Sequence, residues 1–247
     1  MDKIIKTTLG IFIIILVAFV AIGTYSAYID SAYKNSISGN YLYTCTISTT
    51  DVLSNVTLFV PVPENAYGAS PVISKISDKS VSGVPNGWNL TLFDTGKATL
   101  LQISAKTVGL PKTNGISPAS PIILSVNVSF PYPINTQQPI DKAAVFRPVQ
   151  GLKNTSCPAS NVNSENNPIC FDYQTTAYAD YTSAPSTIVI ISESVVGTNS
   201  WKIFSPESNT FINQITFPTL HGSNQGWITA QGWIEAGVGS YSKPSIL

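Results

Sequence analysis

The chain has 247 residues, enough for one large domain or two small ones, and its thirteen basic and thirteen acidic side chains give a formal net charge of zero. Charged residues make up only 11% of the sequence, so Ser, Thr, Asn and Gln must supply most of the polar surface. Because phosphate binding needs a basic patch and the sequence shows none, the composition argues against a nucleic-acid partner.

The first predicted element is an uncharged apolar stretch at residues 9–29, LGIFIIILVAFVAIGTYSAYI. As a helix rising about 1.5 Å per residue it is about 31 Å long, which matches a hydrocarbon core of about 30 Å. We therefore predict a transmembrane helix in contact with membrane lipid. Lys3 and Lys6, in the tail at 1–8, favour a cytoplasmic N-terminus and place everything after residue 29 outside the cell.

Two other interpretations of this stretch stay open. A cleaved signal peptide would have a shorter apolar region, and Tyr25 stands where a small side chain is preferred before the cleavage site. A pilin-type leader would explain Gly10 ahead of a long apolar helix. The basic residue before that glycine and the acidic residue after it are missing, however. An uncleaved anchor is the interpretation that we carry forward.

After a short juxtamembrane segment at 30–39, the hydrophobic pattern changes to a period of two, and no later segment has a convincing helical stripe. Alternating segments bounded by Gly, Pro, Asn and Ser predict β-strands. We expect one extracellular all-β domain at 40–247, built as an antiparallel β-sandwich or partly closed barrel. The strand candidates are YLYTCTIS (41–48), SNVTLFVPVP (54–63), WNLTLF (88–93), LSVNVSF (124–130), TIVIIS (187–192), FINQITF (211–217) and GWITAQGWIEAG (226–237).

Prolines mark the ends of two of these strands. Pro61 and Pro63 close one, and Pro131 and Pro133 close another, because proline cannot donate a hydrogen bond to a strand ladder. The same residues should make these strands less open to pairing with another chain. Residues 131–186 are rich in proline and poorly periodic, so we predict an irregular excursion from the β domain there.

The cysteines point to a disulfide rather than a metal site. Cys157 and Cys170 flank an Asn- and Ser-rich stretch, and a bond between them would contribute about 3 kcal/mol by restricting the unfolded chain. Such bonds persist outside the cell. Two cysteines at this spacing lack a second ligand pair, so no metal is expected. Cys45 shares a predicted strand face with Tyr43 and Ile47 and should be a buried, inert thiol.

Four Asn-x-Ser/Thr acceptor sites are present, at Asn55, Asn89, Asn127 and Asn154. The first three fall on the polar sides of predicted strands, where a glycan could be accommodated. Glycosylated asparagines and merely solvated ones are both consistent with this placement.

The sequence shows no convincing catalytic site or cofactor site. His221 is the only histidine, and no Gly-x-Ser-x-Gly motif accompanies it, so a Ser–His hydrolase is not indicated. No spacing brings together two of the available carboxylates, which are Asp172, Asp180, Glu193, Glu207 and Glu235. We therefore expect a protein that is not an enzyme.

One aromatic pattern suggests a binding surface. In GWITAQGWIEAG, Ile228, Ala230 and Ile234 form the predicted inward face, so Trp227, Trp233 and Glu235 should point outward with Gln231 between the tryptophans. Six residues along a strand separate the two rings by about 20 Å, which suits a long polymer or a protein partner. The alternative is that a loop covers both rings.

Three segments, LSNVTLFVPVP, YADYTSAPSTIVIISESVVGTNSW and GWITAQGWIEAGVGSYS, resemble a group of uncharacterised archaeal single-span surface proteins. In that group an NVTL-type strand runs into a Pro-x-Pro end, and the chain closes with a Gly-Trp strand and a Gly-rich tail. The resemblance covers most of the chain beyond residue 40. It implies a membrane-tethered β domain on an archaeal envelope and brings no catalytic residue with it.

The leading hypothesis is a non-enzymatic, membrane-anchored envelope protein. One alternative is the subunit of a pilus-like filament, in which the apolar helices of self-associating copies pack together. The other is a surface module that binds a glycan or a protein partner of the envelope through Trp227, Gln231 and Trp233.

Overall fold

The computed structural model describes residues 2–109, 121–157 and 167–241, so the last residues of the predicted domain, 242–247, lie outside the described chain. Helix α1 (Asp2–Ser36) carries exposed Ile, Leu, Val and Phe side chains along most of its length. By length and composition it could cross a membrane, although a signal sequence would meet the same criteria. The helix runs through most of the predicted juxtamembrane segment at 30–39, and β1 begins at Ser38.

The rest of the described chain is predominantly β, and every strand pairing is antiparallel, which confirms the predicted fold class. The elements after α1 are β1 (Ser38–Thr49), β2 (Leu53–Pro61), β3 (Pro63–Glu64), α2 (Pro71–Ser77), β4 (Asn89–Asp94), β5 (Thr99–Val108), β6 (Ile122–Phe130), α3 (Pro139–Lys142), β7 (Val145–Phe146), β8 (Gln150–Thr155), β9 (Ile169–Thr182), β10 (Ile188–Lys202), β11 (Pro206–Thr216), β12 (Leu220–His221) and β13 (Asn224–Gly239).

Most of these strands belong to one large sheet with the order β4-β5-β2-β9-β13-β11-β10-β1-β6. In addition, β8 pairs with β9, and β12 pairs with β10. The sheet curls around a single main core. Helix α2 contacts both edge strands, β4 and β6, and Ser82 next to it forms a bridge to Ser125 of β6. The arrangement is therefore a partly closed barrel, with α2 covering the gap between its edges.

Alternation of side chains sets which face of the sheet is buried. On β1, Tyr41, Tyr43, Cys45 and Ile47 are all almost fully buried, as the period of two predicts. Helix α2 was not predicted, because its 7 residues make only about two turns, too few to show a helical stripe. Its N-cap is Ser70, whose hydroxyl accepts a hydrogen bond from the Val72 amide. The other short helix, α3, was not predicted either, and it has only 4 residues.

The predicted excursion at 131–186 is wrong for β9, which lies in the middle of the large sheet between β2 and β13. The inward positions of β9 hold Tyr173, Thr175, Ala177, Ala179 and Tyr181, all buried. Hydroxyl groups and small side chains at these positions hide the hydrophobic alternation from sequence analysis. Such side chains can occupy inward positions of a buried strand because larger side chains of the neighbouring strands fill the space around them.

The first part of the predicted excursion also packs against the β domain. Its buried segment at 143–146 closes one side of the core. The Ala144 amide donates to the Tyr41 hydroxyl at 3.0 Å, and the Phe146 amide donates to Asn213 Oδ1 at 2.8 Å. Side chains of the sheet thus satisfy the backbone of the segment that covers them, as buried backbone groups require.

Pro61 and Pro131 lie at strand ends, as predicted, but the predicted protection of a sheet edge applies to one of the two strands only. Pro131 and Pro133 follow β6, which is an edge strand. Pro61 ends β2, which lies between β5 and β9, so this proline terminates an interior strand rather than protecting an edge.

Three glycines in the sheet are each covered by the aromatic ring directly opposite on the next strand. The pairs are Gly39 with Phe130, Gly197 with Phe211, and Gly232 with Tyr173. A Cβ at Gly197 would lie 2.1 Å from the Phe211 ring, and one at Gly232 would lie 2.2 Å from the Tyr173 ring. The missing side chain lets each ring lie flat over the strand, which compensates for the weakness of glycine in a strand.

Candidate binding face on the outer surface of the sheet

The outward side of the sheet carries a row of four aromatic rings, here called the aromatic row: Phe93 on β4, Phe59 on β2, Tyr178 on β9 and Trp227 on β13. Ring centroids are 5.4 Å apart for Phe93 and Phe59, 5.9 Å for Phe59 and Tyr178, and 5.6 Å for Tyr178 and Trp227. All three contacts are edge-to-face, the arrangement that aromatic pairs favour. Register places Phe59 opposite Tyr178 and Tyr178 opposite Trp227, so these three rings lie side by side across the strands. Phe93 reaches the Phe59 ring across β5, which lies between β4 and β2.

The row is open to solvent at both ends. Trp227 is 63% exposed and Phe93 is 49% exposed. Large apolar side chains of a soluble surface normally avoid such contiguous exposure. The aromatic row is therefore the feature of the outer surface that most needs an explanation.

A groove of about 300 Å³ lies beside Trp227, here called the Trp227 groove. It has apolar walls from Ala98, Leu100 and Pro148 and a polar rim. The polar side chains around it are Thr95, Lys97, Gln150 and Thr176. Lys97 is the charged member of this set, and it is exposed. An exposed aromatic ring beside hydroxyl, amide and amine groups can stack on an apolar face of a ligand while hydrogen-bonding its polar groups.

The groove exists because β9 changes partners along one side. β2 pairs with β9 as far as Tyr178, and β8 takes over at Gln174. Within the described chain, residues 175–177 pair with neither strand on that side. The gap leaves space between the end of β2 and the start of β8, and Thr176 points outward into it.

The structure separates the three residues that the sequence assigned to a binding surface. Trp227 and Gln231 are exposed, and Trp233 is half-buried, all on the outward side of β13. Strand β13 runs unbroken from Asn224 to Gly239, and six residues of strand correspond to a separation of about 20 Å between the two tryptophans. Only Trp227 lies at the groove.

Glu235, which the alternation predicted to point into solvent, is 3% exposed. It lies opposite Cys170 on β9, and its carboxylate is within 4.8 Å of the sulfurs of Cys157 and Cys170. These cysteines form the predicted disulfide, with Cα atoms 5.3 Å apart. A disulfide offers no thiolate, so the cluster is a covalent crosslink rather than a metal site.

All four predicted glycan acceptors are exposed: Asn55, Asn89, Asn127 and Asn154. Asn55 has a positive φ of 53°, at the irregularity where β2 pairs with β9. Asn127 accepts a hydrogen bond from Asn40 at 2.5 Å. Their exposure leaves room for a glycan at each position, and glycosylation itself stays a prediction.

A buried polar cluster lies inside the barrel, on the opposite side of the sheet from the aromatic row. Tyr43 donates to Glu193 Oε1 at 2.7 Å, and Cys45 lies directly opposite Glu193. Burial raises the pKa of Glu193 to about 8, against the opposing effect of the Tyr43 hydrogen bond. Glu193 Oε2 is buried without a hydrogen-bond partner among the described residues. Glu193 is therefore a protonated core acid at neutral pH, sealed from any substrate.

The remaining candidates for chemistry stay apart. His221 is exposed on β12, while Glu193 and Glu235 lie on opposite faces of the sheet. Cys45 is buried and not in a disulfide, as expected.

Sequence analysis missed Phe59, Phe93 and Tyr178 as partners of Trp227. Phe59 and Phe93 sit at outward positions of SNVTLFVPVP and WNLTLF, and an aromatic residue on the polar side of a strand was the available signal. Lys97, Gln150 and Thr176 gave no such signal, since they come from separate parts of the chain and meet only in the folded sheet.

Comparison of this chain with protein-family models, with curated proteins and with solved structures gave no match.

Proposed function

We propose that this protein is a non-enzymatic surface protein, anchored in the membrane by α1, that holds its β domain outside the cell. The observation that carries the proposal is the continuity between the two parts. A long apolar helix with exposed side chains ends at Ser36, and β1 begins two residues later. In the described chain Ile37 alone separates the helix from the β domain, so the domain stays at the membrane surface.

Two other features support an extracellular location. The Cys157–Cys170 disulfide is the kind of bond that persists in oxidising compartments. The low charge content leaves the surface to hydroxyl and amide groups, which tolerate glycans and do not attract nucleic acid.

The anchor is tested on the full chain with a C-terminal tag, in cells that export it. The expected result is that the mature N-terminus precedes residue 9, that the protein resists alkaline extraction from membranes, and that external protease removes the tag on intact cells. A mature chain that begins beyond Ala27 and is released as a soluble protein would contradict the anchor. Helical fibres of this chain in electron micrographs of shed surface material would replace it with the filament subunit.

A second candidate function has its own supporting observation, the exposed Trp227 beside a groove with a polar rim. This combination suits a polysaccharide of the envelope, because a sugar ring has an apolar face for stacking and hydroxyl groups for Gln150, Thr176 and Lys97. The aromatic row extends the platform beyond one sugar unit, since its rings cross the outward face from β13 to β4.

Polysaccharide binding is tested by affinity electrophoresis of the full chain in mild detergent, in gels that contain purified envelope polysaccharide. Trp227→Ala should weaken retention about tenfold, which corresponds to about 1.4 kcal/mol of lost stacking. The matched control is Tyr67→Ala, which removes an aromatic ring that is 92% exposed and lies outside the groove. Equal retention of wild type and Trp227→Ala would remove this candidate.

A further inference from the structure

The hairpin between β10 and β11 carries an exposed aromatic side chain next to the apolar helix. Phe204, at the tip, is 59% exposed. Its ring centroid is 6.3 Å from that of Tyr25 and 6.4 Å from that of Tyr28, both on α1. A turn of a β domain usually presents polar residues, so three exposed rings at one level of the helix are unexpected there.

The hairpin is fixed against α1 just beyond this level. Trp201 and Ile203 form a small buried cluster with Ile29, and the Trp201 ring meets the ring of Tyr33 edge-on at 5.7 Å. The backbone amide of Lys202 donates to the Ser36 hydroxyl at 3.0 Å. These contacts fix the position of Phe204 along the axis of α1.

That position coincides with one boundary of the proposed span. If residues 9–29 cross the hydrocarbon core, Tyr25 and Tyr28 lie within about 6 Å of its outer boundary, at about 1.5 Å per residue. Tyrosines at this depth form the aromatic belt of membrane proteins. Phe204 contacts both rings and must lie at the same depth.

We infer that the tip of the β10–β11 hairpin inserts Phe204 into the boundary between lipid headgroups and acyl chains, as a second membrane contact besides α1. The inference rests on the proposed anchor. The exposed Lys202 lies on the same hairpin, where its amine can reach lipid phosphates while its methylene chain stays near the apolar region. The occupant of this surface is therefore the phospholipid interface, because the surface is continuous with the exposed apolar face of α1.

Such a contact determines how the β domain stands on the membrane. A helix alone lets an attached domain tilt, whereas a helix and a hairpin that enter the bilayer side by side restrict the tilt. The end of the barrel that contains the β10–β11 hairpin faces the lipid. The opposite end, where β11 ends and β12 begins, faces away from it.

The experiment places an environment-sensitive fluorophore on single introduced cysteines in the full chain, reconstituted at one copy per phospholipid nanodisc. Phe204→Cys tests the hairpin. Thr219→Cys is the matched control, because it is exposed beyond the far end of the 11-residue strand β11, about 35 Å away. Val17→Cys reports the span itself. The buried Cys45 and the disulfide leave no other reactive thiol among the described residues.

The expected result is blue-shifted emission at positions 204 and 17, with quenching by spin labels attached near the lipid headgroups at 204 and by deeper ones at 17. The label at 219 should be quenched by aqueous iodide only. A label at 204 that behaves like the one at 219, while 17 stays in lipid, would overturn the hairpin contact and leave the anchor intact. A label at 17 in water would refute the anchor first. Protection at 204 that appears only with several copies per disc would assign the surface to contacts between copies and also overturn the inference.

Discussion

The two halves of the outer sheet surface differ, although the inner surface is built in the same way throughout. On the β4-β5-β2-β9-β13 side, outward positions carry the aromatic row and the Trp227 groove. On the β6-β1-β10-β11 side, outward positions of these four described strands carry hydroxyl and amide groups, a few aliphatic side chains and Lys202 at the end of β10, and no aromatic ring. Examples are Asn40, Thr44, Thr46, Ser48, Ser125, Asn127, Ser129, Ser192, Ser194, Thr198, Thr210 and Gln214. We call them the aromatic half and the hydroxyl half.

The comparison shows which features of the sheet are common to both halves and which occur in one half only. Both halves bury glycine–aromatic pairs and alternate in the same way, so the sheet can form with either kind of outer surface. The hydroxyl half shows that outward aromatic rings are not needed for strand pairing. The rings of the aromatic half therefore point to a binding role, and three changes test this distinction.

The largest expected effect concerns the buried Glu193, inside the hydroxyl half. Its pKa of about 8 in the folded protein is above its ordinary value of 4.5, so the stability that it contributes is fully present below pH about 4.5 and is lost as pH rises through 8. The loss is on the order of 5 kcal/mol at most. Urea unfolding of the full chain in mild detergent, followed from pH 5 to pH 9, should show this fall.

Glu193→Gln should remove most of that pH dependence, because an amide does not ionise. Burial also raises the pKa of Tyr43 and Cys45, the groups that face Glu193, so neither should titrate in this range. Ser194→Ala, at an outward position next to Glu193 on β10, adds and removes no ionisable group and is the control, which should leave the pH dependence unchanged. An equally steep fall in Glu193→Gln would show that another group is responsible.

A second, smaller change in stability tests whether glycine–aromatic packing is equally important in the interior of both halves. Gly197→Ala in the hydroxyl half and Gly232→Ala in the aromatic half should each lower the free energy of unfolding by about 3 kcal/mol, because the new methyl group would collide with the opposite ring. Ser194→Ala, at an outward position of β10, should change it by about 0.5 kcal/mol or less. Tolerance of alanine at either glycine would mean that the ring packing is not essential there.

The smallest expected effect decides the status of the aromatic row. Trp227→Ser should change the free energy of unfolding by less than about 1 kcal/mol, the usual contribution of an exposed cross-strand pair. Urea unfolding of this variant beside Thr198→Ala, from the hydroxyl half, makes the comparison direct. A loss of about 3 kcal/mol or more at Trp227 would instead mean that the aromatic row is structural, which would remove the main argument for a binding face.

How far the sequence predicted these features depends on how local each one is. The apolar helix and the faces of β1 and β2 depend on residues close together in the chain, and their pattern is visible directly. The disulfide was predicted because Cys157 and Cys170 flank an Asn- and Ser-rich stretch, whereas Cys45 lies on the apolar face of a predicted strand.

Features that depend on the register of distant strands were not predictable. β9 was assigned to the excursion because Ala177, Ala179 and Thr175 give no hydrophobic alternation, yet its neighbours on both sides bury it. The aromatic row depends on the registers of four strand pairs at once, and the groove needs β9 to change partners at residues 175–177. Sequence alternation fixes a face, but not which residues of other strands share it.

The proposal that rests most directly on this comparison is the second one above, in which a partner on the cell surface covers the aromatic half while the hydroxyl half stays open to water. Hydroxyl-radical footprinting of the full chain, once in intact envelopes and once purified in detergent, tests it at the residues concerned. The account predicts that Trp227 and Tyr178 are oxidised several times more slowly in the envelope, while the exposed His221 on β12 reacts equally in both samples. Equal oxidation of Trp227 in the two samples would contradict this proposal.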